Sequence, residues 1–369
     1  MSKNLFGAFV VAMVAGSALA GPFSQGNLVV FRAGNGSAVL SSAATTAFLD
    51  EYTPAGVLVQ SITMPTSVSG SNKRFVTSGN STSEGELARS ADGRYLTLGG
   101  YDADVGTASI GTTATTAVLR VMARVGLDGV ADTSTTTTAY SGNQIRGVVS
   151  NDGGQMWATG GNNGVQYATF GGSSSIQLNQ VTPTSTNNRN INIFNGQLYV
   201  SSASAALRGV AAVGTGLPTS NGQVLSAFAG MAVNTSSSGY DFTLVSSTLM
   251  YMADDSAAAG LGGLQRWELQ AGTWVRTQTY TLANGGRIRQ FTTTTDALGN
   301  NVIYVTSLDS SNVSTIQSLV DTGAGSAFTV VATAGASTLF RGIEFAPIPA
   351  PGSVALLGLA GLVAGRRRR

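Results

Sequence analysis

Five arginines recur at comparable places in the sequence: Arg89, Arg146, Arg189, Arg289 and Arg341. Each stands just before or within an apolar run that reads as an opening β-strand. The comparable place around Tyr240-Asp241-Phe242 has no arginine. Guanidinium groups are planar, permanently charged forks that match carboxylates and sulfates. If the opening strands converge, these residues would ring a central channel and bind a carboxylated or sulfated polysaccharide. The competing reading is structural: each pairs with carbonyls or with acids such as Glu86, Asp241 and Glu344 to join neighbouring repeats.

Acidic candidates are fewer. Asp102-Ala103-Asp104 and Asp254-Asp255 offer oxygen ligands to calcium, but neither has the spacing of a known calcium loop, so they read first as solvated loop acids. Glu84 with Glu86, or Asp50 with Glu51, are the nominal carboxylate pairs for glycosidic chemistry. Adjacent strand residues point to opposite faces, which counts against the second pair. Trp267, Trp274 and Tyr280 lie close together. Exposed, they would stack on sugar rings; buried, they would fill the space between sheets.

Other chemistry is excluded outright. The 369-residue chain has no histidine and no cysteine. That removes disulfides, thiolate nucleophiles, Ser-His-Asp catalysis and His-ligated zinc. The run Gly260-Leu261-Gly262-Gly263 lacks the Lys-Ser/Thr of a phosphate-binding loop, so no nucleotide site and no cofactor is expected. The formal charge is +2, yet without Lys3 and the four terminal arginines 15 basic residues face 18 acidic ones, a net −3. Nucleic acid is therefore not an expected partner.

The elements that would position these residues are strands. Glycine numbers 48, charged residues are only 10 % and apolar residues 43 %, a composition of turns and sheets. No interior stretch keeps a 3.6-residue apolar period, so helices should be rare. One pattern recurs: an apolar strand, a tight Gly/Asp/Asn turn, and a strand bearing an aromatic. The aromatics are Tyr95, Trp157, Tyr199, Tyr251 and Tyr304, at intervals of 62, 42, 52 and 53 residues. Such spacing fits four-stranded blades with variable loops. Asp-Gly and Asn-Gly at the turns predict type I′ hairpins, which need positive φ at both central residues. Ser150-Asn151-Asp152-Gly153-Gly154-Gln155-Met156-Trp157 resembles an Asp-box, a structural turn between outer strands of sialidase-like propellers.

Phe340-Arg341-Gly342-Ile343-Glu344-Phe345 reads as the opening strand of an incomplete sixth copy. Its partners are found at the other end: Asn27–Arg32, Ala47–Tyr52 and Val57–Ile62. The expectation is an all-β chain forming a single β-propeller. It has six blades, or seven if the Thr/Ser-rich loops hold further strands, and is closed by pairing N- and C-terminal strands. A β-helix or two stacked sandwiches are the rival folds.

Targeting signals flank this domain. Lys3 begins a basic n-region, residues 5–14 are apolar, and Ala18-Leu19-Ala20 forms an A-x-A cleavage site before Gly21. The expected division is 1–20 signal peptide, 21–346 propeller and 347–369 tail. The tail runs Pro349-Ala350-Pro351-Gly352, then twelve apolar residues from Val354 to Gly365, then Arg366, Arg367, Arg368 and Arg369. Twelve apolar residues make a marginal helical span of a bilayer core of about 30 Å, which suits transient anchoring. This tail resembles the PEP-CTERM sorting signal of bacterial exosortase systems, with Ala350 where the family has glutamate. The resemblance covers only the last 21 residues or so. It implies export by the translocon, cleavage by signal peptidase, handling by an exosortase-like enzyme, and display at the cell surface or in the extracellular matrix. The expected function is a non-catalytic structural or adhesive propeller, with extracellular polysaccharide as the candidate ligand. The alternative is a polysaccharide-active lyase or glycosidase using Asp/Glu, Arg and Tyr.

Overall fold

The computed structural model describes residues 21–179, 187–204, 207–231 and 236–349. The expected signal-cleavage residues Ala18 and Ala20, and the expected sorting-tail residues Ala350, Pro351, Gly352 and Arg366 to Arg369, lie outside the described residues. So does the expected apolar C-terminal helix.

Alternating Val/Ile/Thr/aromatic runs separated by glycine turns fold into 25 strands among the described residues, and a short 3₁₀ turn lies at Ile110–Thr112. Four sheets hold four antiparallel strands each. The first contains β9 (Ile145–Ser150), β10 (Gln155–Gly160), β11 (Gln166–Thr169) and β12 (Ile176–Gln177). The second contains β13 (Asn188–Phe194), β14 (Gln197–Ser202), β15 (Gly209–Val213) and β16 (Leu225–Ala227). The third contains β17 (Gly239–Leu244), β18 (Leu249–Asp254), β19 (Gly263–Gln270) and β20 (Thr273–Tyr280). The fourth contains β21 (Arg287–Thr295), β22 (Asn301–Leu308), β23 (Ser314–Asp321) and β24 (Thr329–Thr333).

The remaining nine strands form one continuous sheet. One wing is β25 (Leu339–Phe345), β1 (Leu28–Ala33), β2 (Ala44–Tyr52) and β3 (Leu58–Thr63); the other is β5 (Leu87–Arg89), β6 (Tyr95–Tyr101), β7 (Arg120–Gly126) and β8 (Ala131–Thr137). The short strand β4 (Val76–Ser78) pairs with both β2 and β6 and stitches the wings together. The architecture is therefore a propeller-like ring with four separate blades, and not six or seven separate ones. The expected count came from the repeats of the strand–turn–strand pattern, and β4, which pairs with both β2 and β6, merges two of those repeats into one sheet.

The expected closure is present. β1 pairs antiparallel with β25 from Leu28↔Phe345 to Ala33↔Leu339. The strands nearest the axis also touch in a cycle: β5 packs on β9, β9 on β13, β13 on β17, β17 on β21, β21 on β25, and β25 on β5. All five repeat aromatics fall in second strands: Tyr95 in β6, Trp157 in β10, Tyr199 in β14, Tyr251 in β18 and Tyr304 in β22.

Apolar side chains fill the spaces between sheets. Trp157 packs with Ile191, Leu198 and Val200 of the next sheet, and its indole N–H donates to Pro218 O at 2.7 Å. Trp267 and Trp274 sit in the cluster with Phe242 and Met250, and Phe228 stacks on Trp274 at 5.3 Å. Tyr280 lies in the cluster with Ile288 and Phe291. The three aromatics are thus core, not a sugar platform.

Two turn expectations need correction. Only Asn195-Gly196 of the repeat turns has positive φ at both central residues. At Asp92-Gly93 and Asp152-Gly153 only the glycine does. There a serine organises the turn instead: Ser90 Oγ donates to Asp92, and Gly153 N donates to Ser150 Oγ at 2.7 Å. The Asp-box-like segment also joins β9 to β10, the two strands nearest the axis, and not outer strands.

Gly342 marks a close backbone approach between the axial strands β25 and β5. Its N–H donates to Gly85 O at 2.8 Å, and a Cβ built on it would lie 2.4 Å from Leu87 N and 2.6 Å from Gly85 O. Backbone atoms cannot yield as a flexible side chain can. Gly342→Ala is expected to destabilise the domain by about 1–3 kcal/mol or more. The exposed Gly335→Ala, which meets only the Thr338 hydroxyl at 3.8 Å, should be near neutral in the same urea titration.

Candidate functional site

Several axial strands carry an arginine or tyrosine within their first three residues, and these side chains meet where the strands converge. Arg189, second in β13, donates to Ser83 Oγ and to the Tyr240 hydroxyl, both at 2.7 Å. Its guanidinium lies 4.2 Å from the Tyr240 ring centroid. Arg289 approaches the same ring at 5.6 Å and pairs with Asp255 at 2.8 Å. Tyr240 thus stands where the fourth repeat lacks an arginine and is contacted by the two neighbouring guanidiniums. Such cation–π contacts contribute on the order of 1 kcal/mol each.

Arg146 and Arg341 are committed to backbone. Arg146 donates to Asn187 Oδ1 at 2.8 Å and Asn188 O at 2.9 Å. Arg341 donates to Thr77 Oγ1 at 2.7 Å, to Ser78 O and to Gly79 O at 3.1 Å, and lies 4.0 Å from Glu84. Burial pushes both guanidiniums down to about 10, helped at Arg146 by the charge of Arg189. Between Arg289 and Arg341 the remaining cavity is only ≈ 20 Å³, room for about one water.

The five arginines therefore do not form one ring. Four lie near the beginnings of their strands. Arg89 is the last residue of β5 and lines a separate cavity at the other mouth, with Asn192, Thr292 and Glu344. It donates no hydrogen bond and forms no ion pair among the described residues; its charged neighbour is Glu344. Arg89 shares the sequence pattern of Arg146, but β5 spans only Leu87–Arg89 and its arginine directly precedes the turn, so it sits at the opposite end.

Buried acids lie between the mouths. Glu86 is 2 % exposed, and neither carboxyl oxygen has a hydrogen-bond partner. Gly147 makes room for it: a Cβ there would come within 2.9 Å of Glu86 Oε2 and of Asn190 Oδ1. Asp241 accepts from the Asn190 amide, from Phe242 N at 2.8 Å and from Phe291 N at 3.0 Å. Gln290 is buried with neither amide atom partnered. Sequence reading missed Asn190, Gln290, Thr292 and Ser83; Asn190 and Gln290 stand in the opening halves of β13 and β21, where polar residues were the signal, whereas Ser83 precedes β5 and Thr292 lies farther along β21.

The other nominated acids are engaged elsewhere. Glu84 accepts from Tyr101 at 2.8 Å and Ser78 N at 3.1 Å. Asp50 pairs with Arg32 at 2.5 Å, while Glu51 accepts from Ser24 N, Asn27 and Gln60. Asp102 and Asp104 bracket Arg74 at 2.8 Å each. Asp254 accepts from Ser237, Ser238 N, Ser256 N and Gln265. No group of three or more acidic residues is placed to hold a metal ion among the described residues. No described helix is long and apolar enough to cross a membrane.

No family model matches the chain, and no curated protein does. Among solved structures, the chain is similar to a WD40 β-propeller domain of Doa1, with a TM-score of 0.41 and 9 % identity over 86 % of this chain and 96 % of that one. It is also similar to a mutant of AofleA from Arthrobotrys oligospora, with a TM-score of 0.44 and 10 % identity over 89 % and 92 %. A third similar structure is Kuenenia stuttgartiensis hydrazine synthase, at 0.41 and 11 % over 68 % of this chain and 66 % of that chain, just under two thirds of its length.

Burial sets a pH dependence. It raises the Glu86 carboxyl well above the usual carboxylate range, reinforced by Asp241 and opposed by Arg146 and Arg189. Asp241 is pushed up to about 8, chiefly by burial, and Glu344 is also raised by burial. The folded state then holds these protons more tightly than the unfolded chain does. Their contribution is complete below the unfolded value of about 4 and is lost as pH rises through the folded values. Tm should therefore fall between about pH 5 and about pH 8. Glu86→Gln should flatten that fall; a wild-type Tm constant across the range would contradict the assignment.

Proposed function

We propose that this protein is an exported, non-catalytic propeller that serves as a structural or adhesive binding module at the cell surface or in the extracellular matrix. The observation that carries this reading is the filled axis. Arg146, Arg189 and Arg341 are tied to neighbouring strands by hydrogen bonds, and only ≈ 20 Å³ remains beside Arg289 and Arg341. A catalytic channel needs an accessible cleft with converging acid and base. Here the nominated carboxylates are consumed by structural donors or buried. In the same reading, the nine-stranded sheet counts as two blades joined by β4, which would make the ring six-bladed.

Export and sorting rest on the sequence. Gly21 would be the first residue after cleavage, and its N–H donates to Gln60 Oε1 at 3.0 Å. Pro349, Ala350, Pro351 and Gly352 would precede the apolar segment, with the four terminal arginines as the stop. Signal peptidase, the translocon and an exosortase-like enzyme are the implied partners, with transient membrane anchoring between export and sorting.

Mass spectrometry of the extracellular protein should find a chain beginning at Gly21 and lacking Arg366 to Arg369. The terminal arginines on the mature surface protein would overturn processing. Incubation with acidic polysaccharides should release no product. Turnover abolished by a single carboxylate substitution would replace this reading with the lyase or glycosidase alternative.

A further inference from the structure

The mouth at the far ends of the axial strands differs in kind from the filled axis. Its cavity holds ≈ 390 Å³ and is lined almost wholly by hydroxyls, amides and two charged side chains. Thr293, Thr294 and Thr295 continue β21 outward and are partly or fully exposed. Thr292, by contrast, is buried and donates to Glu344 Oε1 at 2.8 Å. Phe345 N donates to the same oxygen at 2.7 Å. Glu344 is thereby held in place on one oxygen. Arg89, half-buried across the cavity, has charge attraction to Glu344 and no hydrogen bond.

This combination selects a ligand class. The hydroxyls and amides match a polyhydroxylated ring, which exchanges water hydrogen bonds for protein ones at little net cost. A guanidinium with free donors binds a carboxylate through two parallel N–H···O bonds. A single available cation beside an acidic residue suits a group of one negative charge and disfavours densely charged phosphates or sulfated polymers. The cavity can accept one or two sugar residues on its volume, and it is open enough for a chain to continue outward.

We propose that the mouth formed by Arg89, Glu344, Asn192 and Thr292 to Thr295 binds a uronic-acid residue of an acidic polysaccharide, with Arg89 pairing the sugar carboxylate. This rests on the reading of the domain as a non-catalytic binding propeller, and it moves the ligand away from the other four arginines. Arg89 contacts the ligand carboxylate; Thr292 and Glu344 fix the shape of the wall; the exposed threonines meet ring hydroxyls.

The test is titration calorimetry on the mature domain with trimers of galacturonate, glucuronate and mannuronate, and with neutral trimers of the parent sugars. At least one uronate trimer should bind, and its neutral counterpart should bind at least tenfold more weakly. Arg89→Gln should weaken uronate binding by about tenfold with an unchanged Tm, while Arg276→Gln, which removes the same charge on β20, should change it less than twofold. Glu344→Gln should tighten binding, because it removes the opposing charge. No binding of any uronate trimer, equal binding of the neutral sugar, or an Arg89→Gln protein that binds as wild type would each overturn the site. Those results leave the non-catalytic reading intact; only cleavage of a bound trimer would overturn that.

Discussion

Six residues near the start of the described domain, Leu28–Ala33, and seven near its end, Leu339–Phe345, share one antiparallel ladder, and the ring exists only while that ladder holds. Without it, β1 and β25 would each present an unpaired edge, the feature that makes open sheets prone to association. With it, the first and last parts of the chain belong to one sheet, and every axial strand has two neighbours. The cost is loop closure over nearly the whole domain, which grows only slowly with length. A chain without disulfides must offset it by packing, and the apolar clusters between adjacent sheets are where that packing lies.

Closure also dictates what the axis can contain. Strands driven together around one centre leave no room for large apolar side chains at their tightest points, hence Gly342 against Leu87 and Gly147 against Glu86. Strand ends that are not paired with one another still need partners for their buried carbonyls. Arginine supplies them: Arg341 reaches Ser78 O and Gly79 O, and Arg146 reaches Asn188 O. A buried guanidinium is costly to desolvate, so it is stable there only because several oxygens face it at once. Glu86 is the counterexample, a buried acid with no donor, and its raised pKa is the physical consequence.

The strand order was legible because it rests on period-two alternation and glycine punctuation, which local sequence carries. Tyr95, Trp157, Tyr199, Tyr251 and Tyr304 marked second strands correctly, and Phe340–Phe345 marked the strand that closes the ring. Three things were not legible. β4 is three residues long, and its double pairing depends on two wings brought together by tertiary structure. The serine-organised turns look like type I′ signals, because Asp-Gly suits both geometries. And the arginines share a pattern without sharing a level, since the position of a residue within its strand depends on where pairing begins.

That last difference has a geometric consequence for the whole molecule. Arg89 lies three residues beyond the level of Glu86, a rise of roughly 10 Å along a strand. It therefore shares an end of the ring with Glu344, and the chain leaves from that same end. After β25 the backbone runs through Ala346 and Pro347 to Ile348, whose N–H donates to Gly93 O at 2.9 Å in the turn that follows β5. The described chain therefore ends, at Pro349, on the side of the ring where Arg89 opens, with the Tyr240 mouth on the opposite side, so the two ends of the ring differ both in lining and in what the backbone does there.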